Sequence, residues 1–227
     1  MNYTLVVVVI LLIIVVYYVV SYLTDTSVKI VSTQDASESK TDKHSAVKKD
    51  DFTYSVWFNV SSWSTNTDKN IYSIVSPEGG GNFLELTLQT YDNKLDVKIK
   101  GKGVTVIPIS DIPIQRWVNV IVTGGSNTLD IYYNGKLIST KVIEEMSFSA
   151  HGIDPIDNKV TYNIHSPNTW EGKTAKFEYY PRRITPQDAW NIYSDGFGGS
   201  GIGSLMSKYR MKVSFIKNDM EYNSFLL

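Results

Sequence analysis

From residue 52 onward, apolar side chains recur at every second position in short runs, separated by polar, Gly- or Pro-containing stretches. Alternation of this kind places one set of side chains on one face of a strand, so the pattern predicts strands with one buried face. Phe52 to Val60, Ile71 to Val75, Phe83 to Thr90, Lys94 to Lys100 and Val104 to Ile107 are the first five. Turns fall at Pro77 to Gly81, Asp92-Asn93 and Gly101 to Gly103. Turn signals about ten residues apart are the spacing of an antiparallel sandwich. In Phe83 to Leu88, Leu84, Leu86 and Leu88 share one face while Phe83, Glu85 and Thr87 share the other. That sheet is expected to be dry on one side and wet on the other.

The clearest run is Trp117 to Val142. Val118, Val120 and Val122 alternate with Trp117, Asn119, Ile121 and Thr123, which makes one face entirely Val. Gly124-Gly125-Ser126-Asn127 tolerates positive φ and predicts a hairpin turn, Leu129 to Tyr133 the return strand, and Asn134-Gly135 a second tight turn before Lys136 to Val142. The result is a three-stranded meander.

A strand opening on Trp, a glycine-rich turn and a strand ending in Tyr-x-Asn-Gly-Lys resemble the laminin-G-like domains of the concanavalin A-like lectin/glucanase superfamily. Trp117, Val118, Val120, Leu129, Ile131, Tyr133, Asn134, Gly135 and Lys136 carry the resemblance. Phe52 to Phe58 is similar to that family's early core strand, and Tyr180 to Trp190 to its closing strand and short helix. The resemblance spans Phe52 to Asp195 and implies an antiparallel jelly-roll β-sandwich. Lectins, hydrolases and adhesive modules share that fold, so it implies no single function.

After the meander, Ser147 to Thr169 is weakly periodic, with a strand expected at Val160 to Ile164 and another at Thr174 to Tyr180. Thr185, Pro186 and Asp188 then form a capping box with Pro at the first helical position. Ala189, Ile192 and Tyr193 fall on one stripe, and Gly196 is expected to end this short helix in a left-handed cap, laying it on the sandwich. A Gly-rich joint, residues 196–203, leads to Lys208 to Phe215 and Met220 to Leu227, which alternate around Lys217-Asn218-Asp219 as a terminal hairpin.

The N-terminal end has a different pattern. Leu5 to Leu23 is uninterrupted by charge, Gly or Pro. As a helix it measures about 28 Å, the thickness of a bilayer's hydrocarbon core, so Leu5, Ile10, Ile14, Val19 and Leu23 are assigned to a transmembrane anchor. Tyr3 and Tyr22 flank it as interfacial aromatics do. The competing reading, a cleaved signal peptide, needs an N-terminal Lys or Arg and a small-residue cleavage site that this stretch lacks. Lys29 and Lys40 downstream lean towards a cytosolic C-terminal domain. Thr24 to Asp51 is polar and reads as a tether of about 30 Å root-mean-square reach, with Val28 to Val31 as an optional edge strand. The expected organisation is therefore anchor (1–23), tether (24–51), sandwich (52–195) and joint with hairpin (196–227).

The 227 residues carry a net charge of −1 and no cysteine. The chain beyond anchor and tether suits one sandwich core; the near-neutral charge gives no reason to expect nucleic acid, and disulfides are excluded.

Glucanases of the resembled superfamily carry a Glu-x-Asp-x-x-Glu strand that sets two carboxylates across the scissile bond. Glu85, Glu144-Glu145, Glu171 and Glu178 do not reproduce it, which predicts a non-enzyme. Legume-type lectins of this fold bind sugar beside a metal. The nearest match is His151-Gly-Ile-Asp154-Pro-Ile-Asp157, with Asp130 elsewhere, and Asp154 and Asp157 are the candidate Ca²⁺ ligands. The plainer reading is an Asp-Pro turn in a solvated loop, with no cofactor. Gly196-x-Gly198-x-x-Gly201 matches a dinucleotide fingerprint by letter but follows a helix, and reads as a linker. Trp63, Trp170 and Trp190 are candidates for stacking on sugar rings or for packing, and Arg182-Arg183 for an anion or a solvated edge. Asn59-Val60-Ser61 and Asn2-Tyr3-Thr4 satisfy the glycosylation sequon.

The layout also resembles membrane-anchored minor capsid or virion proteins of large eukaryotic DNA viruses. Bare anchor, polar tether, cysteine-free sandwich, Gly-rich joint and the Lys-Tyr-Arg-Met-Lys-Val-Ser-Phe segment carry that resemblance. It implies a non-catalytic structural protein joining a bilayer, the virion's internal membrane, to capsid proteins. Trp63, Trp170, Arg182, Arg183, Tyr209 and Phe215 are its candidate partner-binding residues, and a membrane-anchored lectin binding a glycan is the alternative.

Overall fold

The structure, a computed structural model, describes residues 10–17, 27–45, 51–63, 67–75, 81–146, 159–165, 170–198, 212–217 and 220–226. Two six-stranded antiparallel sheets form a sandwich. The first runs, edge to edge, β1 (Val28–Asp35), β12 (Glu171–Tyr180), β3 (Phe52–Ser62), β8 (Trp117–Gly125), β9 (Thr128–Tyr133) and β10 (Lys136–Val142). The second runs β2 (Lys40–Ser45), β11 (Lys159–Ile164), β4 (Lys69–Val75), β5 (Asn82–Leu88), β6 (Lys94–Lys100) and β7 (Val104–Ser110).

The Val face of β8 points into the core, where Val118, Val120 and Val122 join Leu84, Leu86, Val97 and Ile131 in one buried cluster. At its centre Tyr54 lies 5.1 to 6.3 Å, ring to ring, from Tyr72, Tyr162, Phe177 and Tyr179. The tight turns are where the glycines and Asn place them. Asn134 (φ 49°) and Gly135 (φ 75°) both adopt positive φ, as the turn joining two right-twisted strands requires.

The other face of β8 is buried as well, because α2 (Pro186–Asp195) lies on it. Ile121 and Tyr132 pack there with Ile184, Ala189 and Ile192. The expected capping box is present, with Asp188 N–H donating to Thr185 Oγ1 at 3.2 Å and Thr185 N–H to Asp188 Oδ2 at 3.0 Å. Gly196 ends the helix with positive φ as expected, but its ψ of −179° is extended and not a left-handed cap.

Three expectations are revised. The stretch read as a tether contributes two strands: β1 takes up the optional edge strand at Val28 to Val31 and extends it to Asp35, and β2, which was not expected, edges the other sheet. Ile30 and Val31 enter the core, while Lys40 to Ser45 carries no apolar side chain and is ordered by backbone pairing with β11. Second, β7 continues through Pro108 to Ser110, which an edge strand permits because a proline facing outward costs no ladder bond. Third, Phe83 is fully buried in the core although Leu84 is too, so the alternation in β5 breaks at its first residues, beside a register shift at Ile74/Val75.

In the anchor region residues 10–17 form the helix α1, and Ile10 and Ile14 are exposed. Among the described residues no helix is long and apolar enough to cross a membrane. Leu5, Val19 and Leu23 lie outside the described residues. At the other end β13 (Lys212–Lys217) and β14 (Met220–Leu226) pair as the expected hairpin, a two-stranded sheet of their own.

Candidate functional site

The parity that turns the Val residues of β8 inward turns Trp117 and Asn119 outward. In the ladder with β3, Asn119 opposes Trp57 and Trp117 opposes Asn59, so both Trp residues stand on the outer face of the first sheet. The last turn of α2 lays Tyr193 over Trp57, ring centroids 5.5 Å apart and planes within 13°. Gly196 then lets the chain fold back, and Phe197 stacks on Trp117 at 4.2 Å and 17°, with Trp57 5.9 Å away. Trp190 stands one turn before Tyr193 at 5.7 Å. Trp57 is 5% exposed, whereas Phe197 and Trp190 are 42% and 47% exposed.

Beside this aromatic group runs a groove of about 310 Å³, walled on one side by Trp117 and Phe197 and on the other by β1 and β12. Lys29 and Thr33 from β1 and Ala175, Lys176 and Glu178 from β12 line it. Both strands are irregular here: the register shifts between Lys29 and Val31 and again between Ala175 and Glu178. Lys176, at the second irregularity, holds φ of 46°, a left-handed conformation that costs a non-glycine residue free energy. Bulges of this kind re-aim side chains and recur beside functional sites. Glu178, 3% exposed, accepts a hydrogen bond from the Tyr180 hydroxyl at 2.8 Å. Beneath the aromatic cover, the Trp57 indole N–H and Asn119 Oδ1 are buried without a hydrogen-bond partner among the described residues. Asn119 Nδ2 is used, donating to Ser55 Oγ and the Val56 carbonyl, both at 3.2 Å.

The structure does not gather the candidates singled out from sequence at this groove. Trp170 is 3% exposed in the core, its indole N–H donating to the Asn70 carbonyl at 3.2 Å. Trp63 packs against the core and donates to the Thr90 carbonyl at 3.2 Å. Its ring also covers the Lys69 ammonium, 4.8 Å from the centroid. Lys69 is wholly buried, its Nζ donating to the carbonyls of Thr67, Gln89 and Thr90. Burial holds its pKa below the usual lysine value, against the pull of Asp68. Arg182 and Arg183 are engaged by acids of their own chain, Asp188 at 3.0 Å and Asp130 at 2.8 Å. Phe215 lies in β13 with its side chain outside the described residues, as are Tyr209, Asp154 and Asp157. Only Trp190, of the three Trp residues considered, borders the aromatic group.

The binding candidates read from sequence do not include Trp57, Trp117, Tyr193 or Phe197. The signal for Trp117 was present in the alternation that opposed it to the Val face. The others needed the packing of α2 to be known.

The acids are arranged for hydrogen bonding. On the outer face of the second sheet, Glu85 accepts from Thr87, Asn82 and Lys98 at 2.6 to 3.1 Å. Burial pushes its pKa up, but these donors outweigh burial and hold the carboxyl below its usual value. Asp96 accepts from Gln89 through both oxygens. Among the described residues no group of three or more His, Cys, Asp or Glu is placed to hold a metal ion.

A family model described as the concanavalin A-like lectin/glucanases superfamily matches residues 32–189, beginning inside β1. A search of curated proteins finds no match. Among solved structures, the ligand-binding domain of botulinum neurotoxin serotype D, in complex with N-acetylneuraminic acid, is similar with a TM-score of 0.53 and 12% identity, over 76% of this chain and 45% of that one. The receptor-binding domain of the mosaic serotype C/D neurotoxin gives 0.52 and 13%, over 74% and 51%. The binding domain of neurotoxin DC in complex with rat synaptotagmin II gives 0.50 and 16%, over 73% and 51%. The chain spans about half the length of these structures, and identities so low establish a shared fold alone.

Proposed function

The chain belongs to the concanavalin A-like lectin/glucanases superfamily, and on that premise we propose that it is a non-catalytic recognition module, membrane-anchored at its N-terminus, that takes its ligand in the aromatic groove. The observation that carries this reading is the groove itself: exposed aromatic surface beside polar side chains re-aimed by two irregularities, the combination expected of a binding cleft. Against catalysis stands the engagement of Glu85 and Asp96 by donors of their own sheet. Anchoring rests on the nineteen-residue apolar run from Leu5 to Leu23. The similar toxin domains were solved with a sialic acid and with a protein receptor, so both ligand classes are compatible with the fold.

A narrower reading, a viral minor capsid component joining a membrane to a protein shell, draws on the layout of the chain. It is favoured by β13 and β14 forming a sheet separate from the sandwich, a second element suited to partner contact. A Ca²⁺ requirement, with Asp154 and Asp157 as ligands, is part of the lectin alternative.

The test is purification of the full chain in mild detergent and identification of what stays bound, for the parent, for Phe197→Ala and for a chain lacking residues 208–227, with and without a calcium chelator. Loss of the bound material in Phe197→Ala supports the groove. A partner lost only on deletion of 208–227 supports the capsid reading and removes the groove from its centre. Release by chelator makes the head a calcium-dependent lectin.

A further inference from the structure

We propose that the groove selects a glycan bearing a carboxylate over a neutral one, an inference that rests on the recognition reading above and names the ligand of that same site. A sugar ring presents an apolar face of C–H groups and a rim of hydroxyls, and an acidic sugar adds one anionic acceptor. The groove offers a counterpart to each. Phe197, backed by Trp117 and 42% exposed, supplies the aromatic surface for the C–H face. Glu178 is an acceptor that takes hydroxyl donors, and Thr33 and Ser32 both donate and accept. Lys29 and Lys176 supply ammonium groups, which only donate.

The charge balance favours an anion. Lys29 stands directly opposite Glu178 in the β1–β12 ladder, and with Lys176 the lining holds two ammonium groups against one carboxylate. Lys176 is left over. It is also the residue held in the left-handed conformation at the strand irregularity, the position where the backbone is distorted from the regular pleat. A neutral glycan offers this second ammonium only neutral hydroxyl oxygens, whereas a sugar carboxylate gives it a charge-assisted hydrogen bond, roughly twice as strong. The groove's volume, about 310 Å³, matches the lower end of small-ligand pockets and a few sugar rings better than a long extended segment.

The experiment is titration of the full chain in detergent micelles, read by tryptophan fluorescence, with sialyllactose, digalacturonate, lactose and an Asp-rich peptide as probes. Either acidic sugar is expected to bind at least tenfold more tightly than lactose, with the difference shrinking as salt is raised. Lys176→Asn, chosen because Asn tolerates left-handed φ, is expected to abolish that tenfold preference while leaving the melting temperature unchanged. Equal binding of lactose and the acidic sugars, or a preference that survives both Lys176→Asn and Lys29→Gln, overturns the inference. Binding of the Asp-rich peptide alone also overturns it, yet leaves the groove as the binding site if Phe197→Ala abolishes that binding. If no probe responds to Phe197→Ala, the groove reading fails with it.

Discussion

Phe197 lies parallel to Trp117 across 4.2 Å, joining the segment after α2 to the first residue of β8. The contact closes one wall of the groove and covers Trp57 at 5.9 Å. An aromatic pair of this kind contributes about 0.5 to 1.5 kcal/mol beyond the area it buries. Phe197→Ala should therefore lower stability by only about 1 kcal/mol, because Phe197 is partly exposed already. It should shift tryptophan emission to longer wavelength as Trp117 and Trp57 become wetter. Unchanged emission in the variant would show that the stack does not shield these rings.

Much of the sandwich was legible in the chain because a strand with one dry face writes period two into its sequence. The meander from Trp117 to Val142 is found as expected, and so are the capping box of Thr185 and Asp188 and the positive φ of Asn134-Gly135. β1 and β2 were less legible for a physical reason: edge strands bury few side chains, and Lys40 to Ser45 is held by backbone hydrogen bonds that leave no trace in hydropathy. The groove was hidden for another. Its walls come from β1, β12, β8 and the residue after Gly196, far apart in sequence, and its irregular backbone at Lys176 is signalled by no glycine. Trp63 and Trp170, candidates for sugar stacking or for packing, follow the packing alternative, and each spends its indole N–H on a backbone carbonyl in the body of the fold.

His165 fastens the β1–β2 corner and should make stability depend on pH. It is 4% exposed, and its Nδ1–H donates to the carbonyls of Asp35 and Glu38 at 3.1 and 3.3 Å, since both partners can only accept. Nε2 then accepts from the Thr174 hydroxyl at 3.1 Å, and the ring meets Trp170 edge to face. Burial pulls the imidazole pKa below its usual value, against the opposing carbonyls of Asp35 and Glu38 and the Asp35 charge. The unfolded chain thus binds the proton first. Stability from this group is complete above about pH 6.5 and falls as pH drops towards the folded value, by up to about 1.4 kcal/mol per pH unit. Urea midpoints should decline between pH 7 and pH 5.5 in the parent and stay flat in His165→Asn, which retains the left-handed φ of 60°. An equal decline in both would assign the dependence elsewhere.

Lys69 is a second internal fastening, tying the end of the loop before β4 to Gln89 and Thr90. Lys69→Met keeps the stem's packing but takes the ammonium donor from the carbonyls of Thr67 and Gln89, and from that of Thr90, which keeps the Trp63 indole N–H, and it removes the ammonium from the Trp63 ring. The expected cost is about 1 to 3 kcal/mol, seen as a lower thermal midpoint with the native circular dichroism retained. A variant as stable as the parent would mean that water replaces the ammonium without loss.

Gly135 couples the second turn of the meander to the helix and so to the groove. Its φ of 75° is left-handed, and a Cβ built there would stand 3.0 Å from Tyr193 Cβ and 3.1 Å from Trp190 Cε3. Gly135→Ala therefore carries two costs, a strained backbone of about 1 to 2 kcal/mol and a push against α2. Asn134→Gly separates them. It keeps positive φ and adds no atom beneath the helix, losing only the bond that Asn134 Oδ1 accepts from Asn119 N–H at 2.9 Å. Because Tyr193 covers Trp57 and precedes Phe197 by four residues, displacing the helix should disturb the groove as well as the fold. Gly135→Ala is expected to lower both the melting temperature and ligand affinity, and Asn134→Gly to lower the melting temperature alone. If Gly135→Ala loses stability with affinity intact, α2 does not position the aromatic wall, and the groove takes its shape from β1, β12 and Trp117 only.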